Sequence, residues 1–300
     1  MTIGLPVFNG ERYIEETLDS IQAQTFRNWE LVVCDNASTD RTAEICSERA
    51  AGDPRIRVFR NPSNIGGDRN YNRCFELSRG EYFFGIGADD IVEPEYLMLT
   101  VAAMDAHPEA VFCHTRSHRM DPEGRPLDPY PPRVFSGSPL PSVRFREAIL
   151  DTDSVFVCLG LLRASALRQT PMLKPHPYSD SFLQAQLALL GGFLEVPVFL
   201  FRRRHHGPTM SIYDRAPWCS PENQTAAFFP HWRRVREYIA AAAGAPGGLV
   251  EKSRCLAVVL RYASRAKHAS RLLRDLRMAV RRTLLRTRLG RRLREARRRA

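Results

Sequence analysis

Two adjacent carboxylates, Asp89 and Asp90, close the segment EYFFGIGADD, in which aromatic, apolar and glycine residues otherwise predominate. A run of this kind is typical of a buried strand. Three further polar clusters follow earlier apolar runs, and their sequences are PVFNGE, DNASTD and NPSNIGG. In open parallel sheets ligands bind beyond the carboxyl ends of the strands. The four clusters together therefore predict one polar crevice that binds a ligand.

Each cluster taken singly has a simpler interpretation as a turn or a helix cap. Asn9 and Gly10 could turn the chain, and Ser38 or Asp40 could cap a following helix, because these residue types dominate such positions. Asp89 and Asp90 could likewise be solvated residues of a surface loop. The common placement of all four clusters at strand ends favours the binding crevice.

The first hundred residues alternate between strand-like and helix-like patterns. The runs TIGLPVF, WELVVCD, IRVFRN and EYFFGIGADD predict four strands, and the stretches between them predict three helices. Ile14, Leu18 and Ile21, for example, recur at helical spacing. Strands separated by helices of this length predict an α/β fold with a parallel sheet, right-handed crossovers and helices on both faces.

The second half of the chain is less regular. We expect two strands around the D-P-E-G turn, a helix entered through Ser179 and Asp180, and a strand that ends in FRRRHH. The last part is mostly helical by composition, and AAAAGAPGG marks a boundary near residue 247. The predicted organisation is a domain over residues 1–220 and a helical extension over residues 221–300.

Composition limits the class of protein. Three hundred residues with 44% hydrophobic content can bury a substantial core, which excludes disorder throughout. Seven scattered cysteines without a C-x-x-C pair argue against a disulfide framework or a zinc knuckle and favour the reducing cytoplasm. The N-terminus has no signal-peptide pattern, and the chain has no run of about 18 apolar residues. We therefore expect a cytoplasmic protein without a membrane-spanning helix.

The charge is concentrated at the C-terminus. Residues 251–300 contain 18 Lys and Arg against three Asp and Glu, a net charge of +15, so residues 1–250 carry −4 of the total of +11. A nucleic-acid surface over the whole body is not implied, whereas a basic electrostatic tail is.

Two long segments resemble a known family. They are GLPVFNGERYIEETLDSIQAQTFRNWELVVCDNASTDRT and NIGGDRNYNRCFELSRGEYFFGIGADDIVEP, and they resemble the family-2 glycosyltransferases, inverting enzymes with the A-type nucleotide-sugar-binding fold. The resemblance is strong over residues 3–96 and weaker from about Val155 to Ser211, and it does not extend to the basic tail. It implies a mainly parallel, Rossmann-like sheet flanked by helices, with a basic helical C-terminal extension.

The resemblance also implies a nucleotide diphosphate-sugar donor and the residues that bind it. The backbone at Pro6, Val7 and Phe8 should line the base pocket, and Asp35 should accept a hydrogen bond from the imide N–H of the base, which favours UDP-sugars. Asn72 either faces the nucleotide or only stabilises a turn. The other residues that the resemblance assigns to the nucleotide are Asn9, Asn64, Arg69, Asn70, Asp89 and Arg204.

A divalent cation is the usual partner of a departing diphosphate, and the family places an Asp-x-Asp type motif at GADD. The resemblance implies that Asp89 binds Mn²⁺ or Mg²⁺, whose preferred ligands are oxygens. Asp90 should contact the sugar or support the metal site. Gly87 stands where the family often has its first aspartate, which is a departure from the fullest pattern.

The candidate general base is Asp180 in YSDSFLQAQLALLGG, by its position in the family pattern. Ser179 replaces the glutamate that commonly precedes this aspartate, and a plain N-cap is the alternative role of Asp180. The loop FRRRHHGPTMS resembles one that closes over the diphosphate. Arg204 should neutralise the leaving group, and either His205 or His206 should contact the metal or a phosphate.

The basic tail has leucines and other apolar residues at helical spacing, with arginines between them, from Ser270 onward. This pattern predicts an amphipathic helix that lies on an anionic inner-membrane surface. Docking on an acidic protein, or packing against the body, are the alternatives. Nucleic acid is not an expected partner, because the body is acidic and the tail lacks interleaved aromatics.

The sequence thus predicts a metal-dependent inverting glycosyltransferase that acts on a saccharide or lipid-linked acceptor, in envelope polysaccharide or glycolipid assembly. The alternative is a nucleotide-sugar-binding protein without turnover, which Gly87 and Ser179 suggest.

Overall fold

The computed structural model describes residues 1–130, 137–151, 159–206 and 229–286. Within these residues the strands are β1 (Thr2–Val7), β2 (Glu30–Asp35), β3 (Ile56–Arg60), β4 (Tyr82–Gly85), β5 (Ile91–Val92), β6 (Ala110–Met120), β7 (Pro126–Pro129), β8 (Leu161–Arg163) and β9 (Gly192–Arg204). They form one sheet in the order β3-β2-β1-β4-β8-β6-β9-β5, with β7 paired to β6.

Helices flank this sheet and continue beyond it. They are α1 (Ile14–Gln22), α2 (Thr42–Gly52), α3 (Gly67–Glu76), α4 (Tyr96–Ala106), α5 (Pro141–Arg146), α6 (Ala164–Leu167), α7 (Ser179–Leu190), α8 (Pro230–Ala243), α9 (Leu249–Ser264) and α10 (Ala266–Arg286). A π-helical turn, Glu147–Asp151, follows α5 directly.

The N-terminal half of the sheet is parallel, as the alternating pattern predicts. β1 lies between β2 and β4, β2 also pairs with β3, and all of these pairs are parallel. Gly4 at the centre of β1 is needed there, because a Cβ atom would lie 2.5 Å from the Phe83 ring. The carboxyl ends of these strands therefore meet at one edge, where the polar clusters follow.

The second half of the sheet is mixed. β8 is antiparallel to both β4 and β6, β9 is parallel to β6, and β5 is antiparallel to β9. The α/β class and the flanking helices are confirmed, whereas this reversal was not predicted. β5 and β8 have two and three residues, too few for an alternating pattern to be visible in the sequence.

Hydrophobic residues on the two faces of the sheet form two cores. One core joins α1, α2 and α4 to the sheet and includes the predicted stripe Ile14, Leu18 and Ile21. The other joins α3, α5 and α7 to the opposite face and continues into α8 and α9, where Tyr238 and Val259 are buried. Because a parallel sheet must be covered on both faces, this arrangement follows from the apolar strands.

The C-terminal helices pack on one another and on α5 and α7. α8 contacts α7, α9 contacts α5 and α8, and α10 contacts α8 and α9. The glycine-rich break near residue 247 is a turn between α8 and α9, and Gly247 has a φ of +98°. The division between residues 1–220 and 221–300 stays a prediction, because its boundary lies outside the described residues.

None of the helices in the described ranges combines the length and the apolar character needed to cross a bilayer.

Candidate functional site

The loops that follow β1 and β2 are hydrogen-bonded to each other. The Asn9 N–H donates to Ser38 Oγ at 2.9 Å, and the Thr39 N–H donates to Asn9 Oδ1 at 2.9 Å. Asn9 has a φ of +50°, a conformation that asparagine tolerates better than most residues. Its side chain thus fixes the crevice wall, and Phe8 beside it is 48% exposed.

Asp35, the last residue of β2, lies in register beside Val7 of β1, so the structure brings it together with Pro6 and Val7. Its side chain is fully buried. Oδ1 accepts a hydrogen bond from the Ser38 N–H at 3.1 Å, and Oδ2 lies 3.4 Å from Arg60 Nε. Oδ2 accepts no hydrogen bond from the described residues. A buried acceptor without a hydrogen bond is costly, so this oxygen is suited to a donor on a ligand.

Four asparagines form a hydrogen-bonded cluster beside Asp35. Asn36 donates to Asn64 at 2.9 Å, and Asn61 donates to Asn36 at 3.0 Å and to Asn70 at 2.8 Å. Asn70 in turn donates to the Cys34 carbonyl at 2.7 Å. Sequence reasoning identified Asn64 and Asn70 but missed Asn36 and Asn61, whose positions directly after β2 and β3 were the available signal.

Two further residues of α3, Arg69 and Asn72, have different surroundings. Arg69 is exposed on this helix. Asn72 donates to the Leu173 carbonyl at 2.8 Å and accepts from the Leu173 N–H at 3.1 Å. Of the two roles open for Asn72, these bonds give it a structural one, which is to hold the segment that precedes α7 against α3.

The carboxylates of Asp89 and Asp90 fold over Gly87. A Cβ atom at residue 87 would lie 2.8 Å from Asp89 Oδ1 and 2.9 Å from Asp90 Oδ2. The glycine therefore gives both carboxylates the space to approach one point. An aspartate at this position would displace them, which is a physical reason for the departure from the family pattern.

Asp90 is the buried member of the pair, with 4% of its surface exposed. Its Oδ1 accepts the Arg204 N–H at 3.0 Å, and its carbonyl accepts from Thr17 Oγ1 at 2.9 Å. Burial, and then the charge of Asp89, raise the pKa of Asp90 to about 7, against the opposing charges of Arg203 and Arg204. The carboxyl group thus joins the end of β9 to the GADD loop, and its predicted contact with a sugar stays a prediction.

Arg204 has its guanidinium turned into the protein. Nε donates to the Asp89 carbonyl at 3.0 Å, Nη1 to the Pro122 carbonyl at 2.9 Å and Nη2 to the Glu16 carboxylate at 2.6 Å. The side chain is 1% exposed and stacks on Tyr13 at 4.3 Å. Arg204 therefore supports the backbone of Asp89, and the predicted contact with a leaving group would require the Glu16 pair to open.

The two histidines after β9 have different surroundings. His206 Nε2 lies 2.5 Å from Asp89 Oδ2, and its ring is 5.3 Å from that of Tyr13. His205 is held through its backbone, whose N–H donates to the Met120 carbonyl at 2.9 Å. The structure thus brings His206 to Asp89, and Tyr13 is a neighbour that sequence reasoning missed.

A small cavity of about 30 Å³ lies beside this site, between β6 and β9. Its polar lining includes Ser117 of β6 and Arg203 of β9, and Arg203 also acts electrostatically on Asp90. Arg203 is thus shared between the cavity and the surroundings of Asp90. The remaining lining residues are Tyr96, His114, Thr115, Tyr130, Leu159 and Phe201.

Asp180 lies in the first turn of α7, and Tyr178 is the N-cap residue. Asp180 is half-buried, and its Oδ1 accepts the Ser181 N–H at 2.7 Å. The alternative role as the N-cap therefore does not apply, although a carboxylate in the first turn still interacts favourably with the helix dipole. The segment before Tyr178 reaches α3 through the hydrogen bonds between Leu173 and Asn72.

The described residues contain no group of three or more His, Cys, Asp and Glu side chains able to hold a metal ion. Asp89 Oδ2 and His206 Nε2 are two such groups side by side. These residues fit a cation that takes its remaining ligands from a bound diphosphate or from water.

Comparison with known proteins identifies the sequence family. Residues 2–166 match the family described as Glycosyl transferase family 2. The chain belongs to glycosyl transferase family 2. Its residues 2–166, from β1 through α6, form a glycosyltransferase domain of that family.

Two curated relatives share parts of the chain. An uncharacterized glycosyltransferase of Haemophilus influenzae is 27% identical over 73% of this chain and 68% of its own length. The uncharacterized protein y4gI of Sinorhizobium fredii is 32% identical over 43% of this chain. That match spans only 14% of the relative's length, so this similarity concerns one part of a much longer protein.

Solved structures share the fold at low sequence identity. The S. aureus TarS fragment 1-349 in complex with UDP-GlcNAc superposes with a TM-score of 0.66 at 18% identity, over 92% of this chain and 79% of that one. The mannosyltransferase PcManGT of Pyrobaculum calidifontis, with GDP-Man and Mn²⁺, gives a TM-score of 0.52 at 17% identity, over 92% and 83%. These neighbours confirm the A-type glycosyltransferase fold.

The segment that leads to Asp180 contains a buried histidine that should make the stability pH-dependent. Burial, and then the charge of Arg233, lower the pKa of His176 from 6.5 to about 4. The folded state therefore binds fewer protons there than the unfolded state, and this contribution to stability is present above about pH 6.5 and lost as the pH falls toward about 4. We expect His176→Asn to reduce the loss in unfolding free energy between pH 7 and 4.5, by up to about 3 kcal/mol.

Urea denaturation at several pH values measures this difference. His107→Asn is the matched control, because it makes the same replacement at an exposed histidine, at the end of α4. Parallel stability curves for the wild type and His176→Asn would contradict the prediction.

Proposed function

We propose that the protein is a metal-dependent inverting glycosyltransferase that moves a sugar from a UDP-sugar to an acceptor hydroxyl. The observation that carries this proposal is the approach of Asp89, Asp90 and His206 at the carboxyl end of β4, in a domain of glycosyl transferase family 2. Carboxylate and imidazole groups at that edge are suited to a diphosphate and its cation.

The nucleotide would bind between the loops that follow β1, β2 and β3. Asp35 Oδ2 is a buried acceptor without a hydrogen bond, and the imide N–H of uracil supplies a donor of the required kind. The asparagine cluster fixes the loops around this acceptor, so little reorganisation would be needed on binding. The structural neighbour that holds UDP-GlcNAc supports the same donor class for this fold.

Asp89 and His206 would hold the cation, with Asp90 and Arg204 keeping the GADD loop in place. When bound, the cation would neutralise charge on the departing diphosphate. Gly87 keeps space for the two carboxylates, and the Arg204 hydrogen bond to the Asp89 carbonyl fixes the backbone of the ligand residue. Mn²⁺ or Mg²⁺ is the proposed ion, and the Mn²⁺ of the PcManGT structure gives a precedent within this fold.

Nucleotide and metal binding should be linked at Asp89. We expect UDP with Mn²⁺ to raise the melting temperature of the wild type by about 5 °C at about 100 times Kd, and GDP to raise it less. EDTA, Asp89→Asn and Gly87→Ala should each remove most of this shift, because each disturbs the cation ligands. Thermal unfolding with each nucleotide, with and without metal, measures it.

Asp19→Asn is the matched control, because Asp19 is an exposed carboxylate of α1 whose partner is Arg49. A shift with UDP that persists in EDTA and in Asp89→Asn would overturn the metal-dependent site.

Asp180 is the proposed general base. Its carboxylate would take the proton of the acceptor hydroxyl while the acceptor oxygen bonds to the anomeric carbon. The bond from that carbon to the phosphate oxygen breaks, and its electron pair leaves with the diphosphate. Direct displacement of this kind inverts the anomeric configuration. The position of Asp180 in the first turn of α7, half-buried and beside the segment bound to Asn72, supports this role.

Replacement of Asp180 should separate turnover from binding. We expect Asp180→Asn to lower kcat by about 100-fold or more, because the amide cannot accept the proton, and to leave Kd for UDP within about twofold. Glu15→Gln is a matched control that removes a first-turn carboxylate from α1. Full activity in Asp180→Asn would remove it as the base, and UDP binding without transfer in the wild type would favour a nucleotide-sugar-binding protein.

The acceptor is proposed to be a saccharide or a lipid-linked saccharide at an anionic membrane, as in envelope polysaccharide or glycolipid assembly. The described part of α10 supports this proposal. Leu273, Leu276 and Val280 are 54%, 42% and 59% exposed and recur at helical spacing, whereas Leu272 is buried against the body. Arginines alternate with this exposed stripe, as is typical of helices that lie on anionic lipid. The predicted Arg-rich end of the tail, residues 287–300, lies outside the described residues.

Membrane binding should depend on that stripe. We expect the triple variant Leu273→Ser, Leu276→Ser and Val280→Ser to bind anionic vesicles at least about tenfold more weakly, because it removes apolar surface that would enter the lipid. Sedimentation with phosphatidylglycerol vesicles measures this, with neutral phosphatidylcholine vesicles as the comparison. Leu127→Ser is the control, since Leu127 is 43% exposed on β7. Equal partitioning of the triple variant and the wild type would exclude this surface.

A further inference from the structure

A buried chain of hydrogen bonds connects the C-terminal helices to the segment that carries Asp180. Tyr178 Oη lies 2.9 Å from His231 Nε2, and His231 Nδ1 lies 2.8 Å from Asp275 Oδ1. Tyr178 is the N-cap residue of α7, His231 lies in the first turn of α8, and Asp275 belongs to α10. Three helices that are distant in sequence thus meet two residues before the proposed base.

The direction of these hydrogen bonds follows from the Asp275 carboxylate. Its Oδ2 accepts the backbone N–H of His231 at 2.8 Å and that of Trp232 at 3.3 Å, which satisfies two donors at the start of α8. The ionised carboxylate then accepts from Nδ1–H of the imidazole, and Nε2 is left to accept the Tyr178 hydroxyl proton. Asp275 is 2% exposed and His231 is 7% exposed, so solvent does not compete for these bonds.

The protonation state of His231 agrees with that direction. Burial lowers the pKa of His231, against the opposing effect of Asp275, and the charges of Arg271 and Arg234 lower it further. The neutral imidazole is thus favoured, and it is the form that can accept from Tyr178. In each of the two side-chain hydrogen bonds, Tyr178–His231 and His231–Asp275, one group donates and the other accepts. The arrangement therefore needs no change in the protonation of His231.

The ring of Tyr178 is also held. The Arg234 guanidinium lies 4.5 Å from the centre of this ring and 5.4 Å from those of Tyr238 and Tyr262. Its Nε donates to Tyr238 Oη at 2.8 Å. α8 therefore contacts both the face of Tyr178 and its hydroxyl, which leaves the side chain little freedom to turn.

Two further contacts fix the rest of the segment. Lys174 forms an ion pair with Glu237 of α8 at 2.6 Å, and Leu173 forms two hydrogen bonds with Asn72 of α3. The segment 173–178 is thus attached to α3 at Leu173 and to α8 at Lys174 and Tyr178. The first bond of α7 starts from it, because the Phe182 N–H donates to the Tyr178 carbonyl at 3.0 Å.

We infer that Tyr178, His231 and Asp275 are positioning residues that orient the first turn of α7, so that the C-terminal helices set the placement of the Asp180 carboxylate. The inference rests on the proposed role of Asp180 as the base. A displacement of about 1 Å in a reacting group can lower the rate about 100-fold, so loss of one such hydrogen bond is sufficient to affect turnover. The C-terminal extension is on this view part of the catalytic apparatus, although none of its described residues needs to touch the substrate.

The experiment compares two variants that lose the same chemical group. Tyr178→Phe removes the hydroxyl that contacts His231. Tyr82→Phe is the matched control. Tyr82, the first residue of β4, is also buried, and its hydroxyl donates to Asp105 of α4 at 2.6 Å. We expect both variants to lose some stability, and Tyr178→Phe alone to lower kcat, by about tenfold, with KM for the UDP-sugar unchanged.

Amide hydrogen exchange of residues 173–183 provides a readout that does not require turnover. We expect exchange at the start of α7 to be at least about tenfold faster in Tyr178→Phe than in the wild type and in Tyr82→Phe. Asp275→Asn should reproduce both effects, since its amide cannot accept both from the imidazole and from the backbone N–H groups of His231 and Trp232. It replaces Tyr178→Phe should that variant fail to fold.

The outcomes separate this inference from the proposed function. Faster exchange together with a lower kcat supports the positioning role. Faster exchange in Tyr178→Phe, combined with a wild type that transfers no sugar from any donor, would support the structural connection while the proposed function fails. Unchanged kcat in Tyr178→Phe, or an equal loss of kcat in Tyr82→Phe, would overturn the positioning role.

Discussion

The buried hydrogen bond between the Asp90 carboxylate and the Arg204 backbone is the contact on which the candidate site depends. It joins the loop after β4 to the end of β9, two segments that are 114 residues apart in the chain. With this contact in place, the Arg204 side chain reaches the Asp89 carbonyl and Glu16, and the next residues bring His206 to Asp89. A buried carboxylate that lost this partner would be strongly disfavoured, so the two halves of the sheet and the site form together.

The need to satisfy buried polar groups also explains the hydrogen bonds at the proposed nucleotide side of the crevice. The asparagines after β2 and β3 satisfy one another and the backbone, which is how buried amides are tolerated. Asp35 Oδ2 is different, because it is buried without a hydrogen bond in the described residues. An acceptor of this kind in an otherwise hydrogen-bonded wall makes a site selective, because a ligand gains most by supplying the missing donor.

The C-terminal helices extend this argument beyond residue 166, where the family match ends. α8 and α9 share a hydrophobic core with α5 and α7, so the C-terminal extension packs directly on the domain. Several of its polar contacts fall on the segment before Asp180, while its exposed apolar stripe on α10 faces away from the body. One helix, α10, therefore carries Asp275 on its inner side and the proposed lipid-binding residues on its outer side. The proposed membrane contact and the orientation of α7 would therefore be connected through that helix.

The sequence alone determined the α/β class, the four parallel strands with their helices, and the family, because strand and helix periodicity and a long ordered resemblance are local properties. Through the family resemblance it also predicts roles for Asp35, Asp89 and Asp180, and these roles stay predictions. It could not show that β8 is antiparallel to its neighbours or that the Arg204 side chain is buried against Glu16. Nor could it show that His206 rather than His205 contacts Asp89. Those depend on contacts between residues far apart in the chain, and an arginine after a strand has the same local pattern whether it faces a ligand or an internal carboxylate. Only the tertiary structure brings Asp275, His231 and Tyr178 into one chain, since nothing in their separate helices encodes the partner that each will meet.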